Sequence, residues 1–173
     1  MTITVTKLEA ASRQLDTSIR LFFSDGDAVS VHMLAAAAAN IFADIAEHKN
    51  SGVSWRTRMR DDFNLSQKEL KKILHDEWNF FKHADNDPNA ALLFNEPVSE
   101  DFIFMAVLDC GDLQPTTCLM QAFQIWYIAA RPEGFLGNDQ FFADMRRALP
   151  DISQLDRAQK IQRGAAFVKN HCA

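Results

Sequence analysis

Residues 33–39 read MLAAAAA, and the fold follows from where that run must sit. The five alanines at 35–39 put no bulk on any face of a helix, and alanine is the strongest helix former. Side chains this small let neighbouring helices approach closely, which places the helix at the centre of a bundle. Ile41, Phe42 and Ile45 follow as an inward-facing stripe at helical spacing. The helix is expected from about Ala28 to Lys49, with KNSG at 49–52 ending it and Gly52 as the stop. No uninterrupted apolar stretch in the sequence is longer than the seven residues of 33–39. That length falls far short of the ~20 residues that cross a bilayer, so no membrane span is expected.

Working outward, every segment repeats at 3.6 residues and none at 2. Thr6 and Glu9 have capping-box spacing and open a first helix over about 7–23, with Leu8, Leu15, Ile19 and Phe22 as its buried stripe. SDGD at 24–27 is a turn in which Gly26 is expected to take the left-handed conformation. WRTRMR at 55–60 scatters Arg56, Arg58 and Arg60 around any helix axis and reads as a solvated connector. Ser66 and Glu69 form a second capping box for a helix running to about His83. Leu70, Ile73, Leu74, Trp78 and Phe81 line its face, and His75, Asn79 and His83 its flank. DNDPN at 85–89 ends it, because Pro88 cannot continue the hydrogen-bond ladder. Ser99 is the expected start of the next helix. Gly111 and Pro115 separate that helix from the apolar segment 116–131, PEGFLGN at 132–138 is a loop, and 139–149 and 153–170 supply the last two helices. The sequence thus predicts an all-α fold: a single-domain helical bundle over 1–173, of about seven helices, around a central Ala-rich helix.

Composition agrees. Gly and Pro number 6 and 5, too few for the many tight turns of an all-β chain, and 14 Phe against one Tyr make a core of rings without polar handles. The net charge of −5 gives no general attraction to phosphate backbones. Cys110, Cys118 and Cys172 form no close pair, and an odd count without a framework fits a reducing compartment. The start MTITVTKLEA lacks a basic n-region and an apolar h-region, so no signal peptide is expected and the protein is expected in the cytoplasm.

The densest candidate chemistry is WNFFKH at 78–83, followed by ADNDPN. Asn79 and His83 stand one turn apart with Lys82 between them. That set can grip a ribose hydroxyl, remove its proton through the imidazole and steady phosphate charge through the lysine. The bland reading has His83 capping the last carbonyls while Asn79 faces water. Elsewhere, Asp44 and His48 lie at i and i+4, near enough to share a metal or a proton. His32, within VSVHMLAAA, reads as a core histidine that needs a hydrogen-bond partner. Asp85, Asp87, Asn89 and Glu96 fall at positions 1, 3, 5 and 12 of a calcium loop, but Ala90 stands where that loop needs Gly. Glu-x-x-His pairs for a di-iron centre, a nucleophile elbow and a phosphate-cradling Gly loop are all absent from the sequence, so no metal or cofactor is expected.

An all-helical chain with a polar residue, three intervening residues and a histidine late in a long helix resembles the HEPN domains. Their usual signature is Arg, a polar residue, three variable residues and His. Asn79 and His83 match its last two fixed positions, and Trp78 stands where the Arg would be. The resemblance implies a homodimer of the defence or toxin–antitoxin type, with RNA or an antitoxin as partner and no bound metal. It implies RNA cleavage through the ribose 2′-hydroxyl, with His83 as general base or acid, Asn79 positioning it and Lys82 on phosphate. His32, Asp44, His48 and Asp85 are the further candidate binding residues. The alternative is a non-catalytic helical interaction or small-ligand-binding module in which these residues are structural.

Overall fold

The structure, a computed structural model, describes residues 2–49, 53–85, 87–134 and 140–172. Within them the chain forms eight α-helices and no strand: α1 (Lys7–Phe23), α2 (Ala28–Lys49), α3 (Trp55–Asp62), α4 (Gln67–Lys82), α5 (Val98–Leu113), α6 (Cys118–Ala130), α7 (Gln140–Ala148) and α8 (Arg157–His171). The all-α bundle is as the periodicity predicts. The additional helix is α3, which replaces the expected connector. Its first turn is satisfied by Ser54, whose side chain accepts from the Thr57 N–H, and by Asp109 of α5, which accepts the Trp55 N–H at 2.8 Å. Free N–H groups at a helix start must be met in this way, and one partner here comes from a distant part of the chain. Gly52, the expected stop of α2, lies outside the described residues.

Helix α2 is central, with α1 and α5 packed along it. Ala35, Ala36, Ala38 and Phe42 are fully buried. The helix is apolar and, at 22 residues, long enough to cross a membrane by length and composition alone. Within the fold α1 and α5 cover part of that apolar surface, and Val29, Met33, Leu34, Ile41 and Ile45 remain exposed or half-buried. Helix α6 closes the other side against α1, α5, α7 and α8. There Trp126 meets Phe22 at 5.0 Å and Phe23 at 5.6 Å between ring centroids, both edge-to-face, the arrangement aromatic quadrupoles favour. Glu100, buried near the start of α5, accepts from Arg131 at 2.6 Å and Arg157 at 2.9 Å and joins the ends of α5, α6 and α8. Helix α4 is held more lightly, packing on α2 and α3 and burying only Leu70 and Leu74. Ile73, expected on its inner face, is exposed because no further helix covers that side.

Several local expectations shift. In the 24–27 turn Asp25, at φ 55°, takes the left-handed conformation in place of Gly26. Gly26 is needed for close approach instead: its N–H donates to the Leu21 carbonyl at 2.8 Å, and a Cβ there would lie 3.0 Å from that oxygen. Helix α5 begins at Val98, behind Pro97, and runs through Gly111. Helix α8 starts at a capping box of Asp156 and Gln159, not at Ser153. Cys118 and Cys172, which form no close pair in the sequence, are disulfide-bonded across 54 residues, and Cys110 is free.

Gly164 is where α8 comes closest to the aromatic cluster. A Cβ on it would overlap Phe23 Cε1 and sit 2.6 Å from Trp126 Cδ1. Both rings are buried and cannot easily give way. Gly164→Ala should therefore lower stability by about 1–3 kcal/mol, overriding the alanine's helix-propensity advantage of about 1 kcal/mol. The urea midpoint of the variant checks this, and a rise would contradict it.

Candidate functional site

Helix α4 separates two concave surfaces. On one flank, Asn79 and His83 open onto a cleft of about 680 Å³. His83 is the C-cap residue of α4, and its N–H donates to the Asn79 carbonyl at 3.0 Å. The two side chains do share a cleft, but its charge is the opposite of what RNA requires. Asp76, Glu77, Asp85 and Asp87 line it, together with Phe80 and Leu92, and no lysine or arginine does so among the described residues. Carboxylates in this number repel a phosphodiester at short range. Lys82 does not join them. Its Nζ lies 3.7 Å from the Trp78 ring centroid, so the residue standing where the HEPN signature has Arg holds the neighbouring cation.

Of the other candidate residues Asp85 lines this cleft, while His32, Asp44 and His48 lie apart from it. His32 is fully buried, ringed by Phe81, Phe94 and Phe102, with Nδ1 3.4 Å from Ser99 Oγ and Nε2 unpartnered. Burial lowers its pKa, against a smaller opposing pull from Glu77, and keeps the ring neutral. Asp44 and His48 line a shallow groove with Leu8 and Ile45. Asp44 pairs with Arg56 at 2.8 Å and not with His48. Of the calcium-loop residues, Asp85 and Asp87 face the acidic cleft while Glu96 turns to Arg157 at 3.1 Å. Among the described residues no three His, Cys, Asp or Glu side chains come together in a metal-binding group.

The opposite flank of α4 faces a pocket of about 310 Å³ between α2, α3 and α4. Its wall is fixed by Glu47. That carboxylate accepts from Ser54 Oγ at 2.6 Å, Thr57 Oγ1 at 3.1 Å, Arg56 Nε at 3.1 Å and Arg56 Nη2 at 2.6 Å. Burial pushes the Glu47 carboxyl up, but the hydrogen bonds from Arg56 and Ser54 outweigh this and keep it ionised. Leu70 and Leu74 form the floor, and Arg60, Gln67, Lys71 and His75 surround the mouth. Burial lowers the His75 pKa, and the charges of Arg56 and Lys71 lower it further, with Lys82 adding to the effect and Asp44 opposing it.

The sequence did not single out this pocket, because its parts come from three helices. One signal was present: Asp44 and Glu47 share a face of α2 and precede the only arginine-rich run by about ten residues. The chain matches no family model, and neither a curated protein nor a solved structure matches it.

Asp109, which caps α3 beside this pocket, is 2% exposed. Its pKa rises from the ordinary 3.8 to about 6, chiefly through burial, against the opposing Trp55 N–H bond and with Asp112 adding to the rise. A folded-state pKa above the unfolded one means the native chain binds this proton more tightly. The stabilisation is complete below pH 3.8 and is lost as pH rises through about 6. Over that window it amounts to about 3 kcal/mol. Asp109→Asn keeps an acceptor oxygen for Trp55 and cannot ionise. It should gain up to about 3 kcal/mol over wild type at neutral pH and almost none near pH 4. Urea denaturation of both proteins at the two pH values measures this, and an equal difference at both would refute it.

Proposed function

We propose that this chain is a non-catalytic helical module that binds a small ligand in the pocket between α2, α3 and α4. The observation that carries this reading is the convergence of Arg60, Lys71 and His75 on one cavity floored by Leu70 and Leu74. Apolar surface with a few convergent polar groups is the usual make-up of a small-molecule site. A hydrolytic site needs a base within reach of the reacting atom and a group that stabilises developing charge. The cleft at His83 offers carboxylates around the imidazole and no cation among the described residues.

The second reading, a HEPN-like defence or toxin–antitoxin ribonuclease, keeps one supporting observation: Asn79 and His83 line one cleft. In it His83 is the base, Asn79 orients it, and the partner subunit of a homodimer supplies the missing positive charge. Incubation of purified protein with single-stranded RNA in EDTA decides between the two. The module reading expects no cleavage by wild type and none by His83→Ala. RNA loss with wild type that His83→Ala abolishes would establish the nuclease in its place.

A further inference from the structure

The pocket between α2, α3 and α4 has a ligand chemistry of its own. Resting on the small-ligand reading above, we infer that its occupant is a small phosphomonoester, with the phosphate held by Arg60, Lys71 and His75 and the organic part lying on Leu70 and Leu74.

The charge balance of the lining comes first. Three permanent cations, Arg56, Arg60 and Lys71, face one carboxylate, Glu47, in a chain whose net charge is −5. Glu47 is already occupied by its four hydrogen bonds to Ser54, Thr57 and Arg56. Lys71 is exposed and makes no hydrogen bond or ion pair among the described residues. Arg60 uses Nε and Nη2 on Asp61, a carboxylate whose side chain is 57% exposed, so this pairing is weak in water. The ring nitrogens of His75 have no partner among the described residues. The pocket therefore presents donors and positive charge without acceptors to match.

Placement comes next. Gln67, Lys71 and His75 stand at i, i+4 and i+8 on α4 and form one row along the pocket, with Leu70 and Leu74 beside them. Arg60 faces this row from α3. These donors approach from two helices. A carboxylate is met best by the planar fork of an arginine, and of the two forks here Arg56's is filled by Glu47 and Asp44 while Arg60 turns its Nε and Nη2 to Asp61. Donors spread in three dimensions suit a tetrahedral anion. The volume of about 310 Å³ admits a phosphate and a short carbon body.

His75 gives the test its readout. Burial disfavours its protonation most, the charges of Arg56, Lys71 and Lys82 add to this, and Asp44 opposes it. A dianion bound against the ring opposes them as well and raises its pKa. The experiment is a proton-NMR titration of the imidazole resonances with inorganic phosphate at constant ionic strength, His75 being assigned through His75→Gln, with succinate as the parallel arm. We expect a saturable shift of His75 and a raised midpoint in phosphate. Lys71→Gln, a surface change, should weaken phosphate binding about tenfold, and His83→Ala should leave it unchanged. Tighter saturation by succinate would overturn the phosphate assignment and leave the small-ligand reading standing. A His75 resonance that neither anion moves, or one that phosphate moves equally in Lys71→Gln, would overturn the anion site itself. The small-ligand reading is lost separately, through RNA cleavage that depends on His83.

Discussion

The absence of bulk in the middle of α2 sets the spacing of everything around it. With Ala35, Ala36 and Ala38 fully buried, α1 and α5 press against the same helix from two sides. Larger buried side chains mark where this close approach ends: His32 before the alanines and Phe42 after them. Beyond Phe42 the last turns of α2 keep only one face buried, through Ala43 and Ala46, and turn Asp44, Glu47 and His48 to the surface. A core of small residues thus exports its polar end to the surface, where a further helix can be attached by hydrogen bonds.

That attachment is made by Glu47 and Asp109. Ion pairs at partly exposed positions contribute little stability, on the order of 0–1 kcal/mol each. The side chains of Arg56 and Glu47 are 22% and 39% exposed, so their pairing belongs near that range. What Glu47 supplies is position. One carboxylate fixes a hydroxyl before α3, a hydroxyl within it and the guanidinium between them. Asp109 fixes the first N–H of the same helix from behind. Removing two carboxylates would leave α3 with an unsatisfied start and the pocket without its wall.

Local rules made much of the fold legible. The capping boxes of Thr6–Glu9 and Ser66–Glu69 were readable because both halves lie within one turn, and both form in the structure. The box of Asp156 and Gln159 was equally local, but the serine at 153 competed with it as a start signal. Helix α3 was missed although its cap Ser54 is local, since the second group that satisfies its first turn lies 54 residues away. The Cys118–Cys172 disulfide was hidden for the same reason. At the candidate site, the i, i+4 spacing of Asn79 and His83 did bring them to one cleft, and the acids around them were visible in the same stretch of chain. The turn of Lys82 onto Trp78 was not, because it depends on which way a flexible side chain leaves the helix.

The two surfaces flanking α4 also differ in how firmly they are held. A helix that buries only Leu70 and Leu74 and packs chiefly on α2 and α3 belongs to the less stable part of the fold. The acidic cleft lies at its far end, where the chain leaves the helix and nothing from α2 or α3 lines the wall. The basic pocket lies between α4 and the elements that anchor it. An anion bound there would touch α3 through Arg60 and α4 through Lys71 and so add contacts between two lightly packed helices. Such binding energy would appear as stability, because a ligand that binds the folded chain draws the population toward it. The like charges of Arg56, Arg60 and Lys71 repel one another across this joint, and Glu47 and Asp44 offset the first while Asp61 offsets the second.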